Sequence, residues 1–249
     1  MSALLLALTA GAFVGLALGA LGGGGAVLAV PALIHLLGFT PAEATTASLV
    51  IVAATAATGL YAHARDGNVR WGTGLLFAAA GVVPAAIGGA LAGRLHPALL
   101  TGAFAVVAAL AALRMLRTPT EAVEADRVVY KGRAAAAGAG LGAVTGVLGV
   151  GGGFLAVPAL VATLGLRMRT AVGTSLLVIT VNALAALATR TGTANALDWS
   201  VVAPFTGAAI LGAWDGKRWS GKVKADALRR IFARVLLAVA GLMVIGSLV

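Results

Sequence analysis

The sequence predicts an all-α polytopic membrane protein made of two inverted-topology repeats, each of about five helical segments, with Gly-broken or re-entrant helices. Three observations carry this. The chain of 249 residues is 60% hydrophobic and 10% charged, with mean hydropathy +1.02, whereas a soluble domain has roughly 25% charged residues. The stretch Gly22-Gly23-Gly24-Gly25-Ala26-Val27-Leu28-Ala29-Val30-Pro31-Ala32-Leu33 returns as Gly149-Val150-Gly151-Gly152-Gly153-Phe154-Leu155-Ala156-Val157-Pro158-Ala159-Leu160, an offset of 127 residues. Around it Gly11–Leu49 aligns without a gap on Gly138–Leu176, with 19 of 39 positions identical. The third observation is the placement of the loop charges, which gives the two halves opposite orientations. A β-barrel would need period-2 alternation and aromatic girdles, and neither is visible.

Ten apolar segments can be drawn, roughly 3–21, 26–39, 44–62, 72–92 and 97–116, then 134–148, 153–166, 170–189, 199–214 and 229–248. They divide the chain into a first transmembrane repeat (1–117), a cytoplasmic linker (118–133) and a second transmembrane repeat (134–249). The first segment has no basic n-region before it and its apolar run belongs to the repeat, so it reads as a membrane segment and not as a cleaved signal. It carries Gly11, Gly15 and Gly19, and its copy carries Gly138, Gly142 and Gly146. Four-residue spacing sets these glycines along one helix face, where another backbone can lie close.

The second segment of each half is short, roughly 20 Å of helix at 1.5 Å per residue, while a crossing needs about 20 residues. Such segments are typically re-entrant or buried, so the first two segments of each half read as a hairpin. Ten tilted crossings are the alternative. The third segments open on hydroxyl residues, Thr46 and Ser48 in one half and Thr174 and Ser175 in the other. The third, fourth and fifth segments of the first half are long enough to cross. The stretch Trp214–Arg230 reads as an interfacial element, with Trp214 and Trp219 at headgroup level beside lysines.

Loop charge fixes orientation. Basic residues gather after segment three (Arg65, Arg70), between the halves (Arg114 to Arg133), after the second short segment (Arg167, Arg169) and around the last loop (Lys217 to Arg234). With these regions cytoplasmic, 16 of the 18 Lys and Arg lie inside and only Arg94 and Arg190 lie outside, as the positive-inside rule requires. Both termini are then expected outside. The same pattern accounts for the net charge of +10. No basic face with interleaved aromatics exists, so nucleic acid is not an expected partner. There is no cysteine, which excludes disulfides, thiolate metal sites and cysteine nucleophiles.

Taken in order, the duplicated Gly-rich turn with Leu-Ala-Val-Pro-Ala-Leu, then Ala44-Thr45-Thr46-Ala47-Ser48-Leu49 with its copy Ala171-Val172-Gly173-Thr174-Ser175-Leu176, make a recognisable set. To these add His63-Ala64-Arg65-Asp66-Gly67-Asn68-Val69, Pro84 and Gly88-Gly89-Ala90-Leu91-Ala92-Gly93-Arg94-Leu95. Over essentially its whole length the chain resembles the sulfite exporter TauE/SafE family, the sulfonate uptake permease group. The resemblance implies a bacterial inner-membrane carrier of sulfite, thiosulfate, sulfonates or related small anions. Two departures stand out. Ala26 occupies the position of Gly153, and Asp215 stands where Ala92 does in the matched Gly-Ala-x-x-Gly patterns.

A small anion inside a membrane protein needs hydrogen-bond donors and positive potential without a fully desolvated cation. A helix N-terminus offers both, and glycine lets the anion reach the amides. The predicted site is therefore Gly22, Gly24 and Gly25 with Gly149, Gly151, Gly152 and Gly153, brought together near the midplane by the inverted repeat. Tight packing is the competing account of these glycines. Thr46, Ser48, Thr174, Ser175 and Asn182 add hydroxyls and an amide; Ser175 and Asn182, seven apart, share a helix face. Their bland alternative is that Ser and Thr bond back to their own helices. His35, whose counterpart is Ala162, is a candidate for proton uptake or coupling, against the plainer reading of a core histidine. His63 and His96 fall at segment ends.

No His/Asp/Glu cluster has metal-ligand spacing, and no P-loop or dinucleotide fingerprint exists. The expected function is secondary transport of a small sulfur-containing anion, with no cofactor and no catalytic residue. Membrane potential favours export of an anion without coupling, whereas import needs a co-transported cation. Export is the expected direction. The expected partners are the anion and the lipid bilayer, with a homo-oligomer possible. A carrier of another solute, such as a carboxylate or amino acid, is the alternative. An intramembrane enzyme would have to be built from His35, Asn182 and Asp215.

Overall fold

The computed structural model describes residues 2–21, 26–92, 131–148, 153–188 and 197–223, with scattered positions between 106 and 116 and between 226 and 241. Most of the fifth and tenth segments, the linker, and Gly22, Gly24, Gly25, Gly149, Gly151 and Gly152 lie outside them. Among the described residues there are eight helices and no strand. They are α1 (Ser2–Leu21), α2 (Ala26–Leu37), α3 (Pro41–Arg65), α4 (Trp71–Ala92), α5 (Lys131–Leu148), α6 (Gly153–Leu164), α7 (Met168–Ala188) and α8 (Trp199–Lys222).

Composition locates these helices and local chemistry sets their ends. α2 and α6 have 12 residues each, about 18 Å of helix, too short to cross the roughly 30 Å hydrocarbon core. Both stop in the same way. Gly38 (φ 70°) and Gly165 (φ 63°) adopt the left-handed conformation that glycine takes without a Cβ penalty. Their N–H groups donate to Ile34 and Val161 carbonyls at 3.2 and 3.1 Å, and the next N–H, of Phe39 or Leu166, reaches back to Leu33 or Leu160 at 3.1 and 3.3 Å.

α3 is longer than hydropathy alone suggests, because its start is polar. The Thr40 side chain accepts from the Glu43 N–H at 3.4 Å while the Glu43 carboxylate accepts from the Thr40 N–H at 3.0 Å, a capping box with Pro41 in the first turn. α8 likewise runs past the expected end at 214. The stretch through Trp219 and Lys222, read above as a separate interfacial element, continues the same helix, since polar residues without a breaker are compatible with helix once outside the apolar layer.

Helix packing follows the repeat. α1 lies along α8 and α4 along α5, and these two pairs exchange when the halves are exchanged; α3 lies along its own copy α7, and α2 touches its own copy α6. The glycine strips make the close contacts. A Cβ on Gly11, Gly15 or Gly19 would run into the backbone of Phe205, Ala209 or Ala213, and one on Gly138 or Gly142 into that of Phe77 or Gly81. Both series climb together, so α1 is parallel to α8 and α5 to α4. Between α3 and α7 the order reverses: Gly59 faces Leu176 and His63 faces Gly173. α3 and its copy α7 thus run antiparallel.

These contacts correct one alignment. Gly11 on Phe205 and Gly138 on Phe77 make Phe205 the counterpart of Phe77, an offset of 128 that also matches Trp71 with Trp199. Asp215 therefore corresponds to Ile87 and not to Ala92. It is exposed and lies 3.8 Å from the Arg218 guanidinium, so no buried acid enters the transport question there.

The interior draws on both halves. Phe77 and Phe205, and Leu33 and Leu160, are matched pairs with at most 1% exposure. Large apolar side chains on the outer faces, such as Phe13, Val83 and Leu211, stay exposed, as side chains facing lipid do. Among the described residues three helices are long and apolar enough to cross a membrane, over Leu4–Leu21, Glu43–Arg65 and Met168–Leu187.

Candidate functional site

One end of the bundle collects charge. The Asp66 carboxylate, just past α3, pairs with the Lys217 ammonium of α8 at 2.6 Å. The Arg169 guanidinium at the start of α7 donates to the Gly221 carbonyl at 3.0 Å. Three loops with separate basic clusters in sequence therefore meet at one end. Lys217 beside Asp66 holds its carboxyl below the usual carboxylate range, chiefly through the hydrogen bond.

The predicted site residues divide about this axis. Thr174 belongs to the basic end: its hydroxyl oxygen accepts from the Arg70 N–H at 3.1 Å, across 104 residues of sequence. Gly173 permits this, because a Cβ there would meet the Asn68 backbone. Ser175 is the next residue. Thr46 and Ser48 belong to the other end. Ser48 precedes Gly59 by 11 residues, about 16 Å of helix, and Gly59 is level with Leu176. Asn182 falls between, about 10 Å along α7 from Ser175.

The glycine runs separate in the same way. α1 runs towards the basic end, with Gly19 packed on Ala213, four residues before Lys217. α5 runs away from it alongside α4, with Gly142 on Gly81. So the helices that lead into Gly22–Gly25 and into Gly149–Gly152 end at opposite ends of the bundle. A single midplane site containing both runs does not follow from this packing. α1, a helix of 20 residues, climbs along α8 through Gly11, Gly15 and Gly19 and ends level with the basic end. Gly153 opens α6. His35 lies in α2, and its side chain is outside the described set.

Thr174 and Ser175 thus lie towards the basic end, where α1 ends, and Thr46 and Ser48 towards the other, where α5 ends. All four hydroxyl residues are buried: Thr46 at 1%, Ser48 at 8%, Thr174 and Ser175 at 0%. The serines make matching bonds, Ser48 Oγ donating to the Thr45 carbonyl and Ser175 Oγ to the Val172 carbonyl, each at 2.8 Å. In this state the serine hydrogens are turned to their own helices, and rotation about χ1 is needed to present them to a ligand. Asn182 differs, since its Oδ1 is buried with no hydrogen-bond partner. The two ends of an amide exchange by a flip, so Asn182 can offer either an acceptor or a donor to that space. Among the described residues no three His, Asp or Glu side chains assemble as metal ligands.

Sequence reasoning passed over His63. It sits within α3 as a buried residue, 3% exposed, and neither ring nitrogen has a hydrogen-bond partner. The available signal was its counterpart in the repeat, Arg190, a basic residue at the same position.

The family model for the sulfite exporter TauE/SafE matches residues 7–243. A probable membrane transporter protein of Xylella fastidiosa strain 9a5c is 34% identical over 247 residues, covering 95% of this chain and 93% of the relative. A second, from strain Temecula1, is 32% identical with the same coverage. No solved structure matches the chain.

Proposed function

The chain belongs to the sulfite exporter TauE/SafE family, and we propose that it is a secondary carrier that exports a small sulfur-containing anion, such as sulfite, thiosulfate or a sulfonate, across the bacterial inner membrane. The observation that carries the reading is the matched pair of buried serines, Ser48 and Ser175, towards opposite ends of the antiparallel α3–α7 pair; we read each as part of one half-site of the carrier. A carrier with inverted halves must present equivalent binding groups to each side in turn. Buried neutral hydroxyls and an amide with an unpaired end suit an anion that has to bind and then leave. None of them is a nucleophile paired with a base, so the arrangement favours movement of a solute over its chemical conversion. We place the basic end in the cytoplasm and both termini outside, on the distribution of Lys and Arg.

Reconstitution into proteoliposomes tests this. Radiolabelled sulfite or thiosulfate is expected to cross faster than in protein-free vesicles and to be competed by the other anion. Flux confined to carboxylates or amino acids would refute the substrate class, and conversion of the solute without flux would refute the carrier.

A further inference from the structure

At the basic end the apolar runs of two neighbouring helices stop at the same level. The membrane span of α3 ends at Arg65, and the apolar run of α8 gives way at Trp214 to Asp215, Lys217 and Arg218. Between them lies a cleft of about 340 Å³, lined by Ala62, Arg65 and Asp66 of the first half and by Trp214, Lys217 and Arg218 of the second. Its lining sets three cations against one carboxylate. Lys217 takes that carboxylate at 2.6 Å, which leaves the guanidiniums of Arg65 and Arg218, one from each half, to set the charge of the cleft. Asp215 holds Arg218 only at 3.8 Å, between well-exposed side chains, a kind of pair that binds weakly in water. Each guanidinium lies over an aromatic ring one turn back, Arg65 over Tyr61 at 5.8 Å and Arg218 over Trp214 at 6.0 Å. A cation–π attraction is not a hydrogen bond, so it positions the fork and leaves its N–H donors for an acceptor.

The surroundings of the cleft suit lipid. Leu211, Trp214 and Arg218 share one face of α8, and Tyr61 and Arg65 one face of α3. Leu211 is 71% exposed, Tyr61 59% and Trp214 37%. Along α8 the order is aliphatic, aromatic, basic, which matches the passage from hydrocarbon through the interface to the headgroups. We propose that this cleft binds the phosphate of an anionic phospholipid, with Arg65 and Arg218 donating to its oxygens, Tyr61 and Trp214 beside its glycerol and an acyl chain along Leu211. Guanidinium forks suit phosphate oxygens, and basic pockets between helices on the cytoplasmic side suit anionic headgroups. A free phosphate would match the charge but would have no use for the exposed apolar side chains that lead up to it. Since the two arginines belong to different halves, the bound phosphate bridges the halves. The site does not depend on which solute the protein carries.

The test is quenching of Trp214 by lipids brominated in their acyl chains, in phosphatidylcholine bilayers. Trp71→Phe, Trp199→Phe and Trp219→Phe together leave Trp214 as the only tryptophan of the chain. Brominated phosphatidylglycerol is expected to associate about fivefold more strongly than brominated phosphatidylcholine, the scale of a basic residue at an anionic surface. Adding Arg65→Gln and Arg218→Gln should abolish this preference. Arg133→Gln, which removes an exposed cation outside the cleft, should keep it. Equal association of the two lipids overturns the proposal, as does a preference that survives loss of both arginines. A preference lost equally in Arg133→Gln is general charge attraction and overturns the cleft as the site. A preference abolished by inorganic phosphate in the buffer marks a site for soluble anions and overturns the lipid. If the single-tryptophan protein does not purify folded, native mass spectrometry of the chain with its tryptophans intact decides instead. Phosphatidylglycerol should then be retained over phosphatidylcholine only when Arg65 and Arg218 are present, and equal retention without them overturns the proposal.

Discussion

Replacing Gly15 or Gly142 with Leu is expected to leave little monodisperse protein and to lower the melting temperature of what remains. In a typical core an oversized side chain costs about 1–3 kcal/mol, because neighbours shift or leave their rotamers. Here the obstacle is main chain. A Cβ on Gly15 would overlap the Ala209 backbone, and one on Gly142 the Gly81 backbone. Neither can give way without separating α1 from α8 or α5 from α4, the two pairings on which each half depends for its contact with the other. Glycines outside the strips provide the contrast. A Cβ on Gly140 or Gly207 meets nothing within 4 Å, so alanine there should be neutral or stabilise by about 0.5–1 kcal/mol through helix propensity. The measurement is melting in detergent by scanning fluorimetry for all four variants. A wild-type melting temperature in Gly15→Leu would disprove the interlocked pairing.

Asn182→Leu is expected to separate stability from transport. The amide lies towards the middle of α7 with its Oδ1 buried and unpaired, and an unsatisfied buried polar group costs about 1–3 kcal/mol. Leucine has a similar volume and no such cost, so the variant should melt at or above the wild-type temperature. Loss of this open polar group between the two half-sites should reduce anion flux by about tenfold or more, the scale for a site that loses a hydrogen bond to its substrate. A less stable variant would mean that Asn182 has a structural partner, and one with full flux would mean that the path does not pass it.

How much of this was legible in the sequence depends on what kind of fact each feature is. Glycines at every fourth position had one physical use, close helix contact, and the strips do make it. The short second segments were measurable by counting. The polar start of α3 was also readable in principle, because Thr40, Pro41 and Glu43 spell a capping box, but hydropathy is blind to it. The candidate site was harder. Ser48 and Ser175 do match each other across the repeat, down to the same backbone bond. That they lie towards opposite ends depends on the antiparallel packing of α3 against α7, which no single segment encodes. The burial of His63 is a tertiary fact of the same sort, made by α1, α7 and α8 together. The change of offset from 127 to 128 needed only one residue in a loop, and it moved Asp215 to a new counterpart.

We propose that the two halves enter the membrane with opposite orientation, so that equivalent positions face opposite sides. Trp71 and Trp199 open α4 and α8, correspond in the repeat and are each 51% exposed. The chain has no cysteine of its own, so Trp71→Cys and Trp199→Cys each carry a single thiol. Labelling of intact cells and of inverted vesicles with a membrane-impermeant maleimide is the direct measurement. Trp71→Cys should react only from the cytoplasmic side and Trp199→Cys only from the outside. Reaction of both from the same side would contradict the inverted arrangement and, with it, the pairing of half-sites across the membrane.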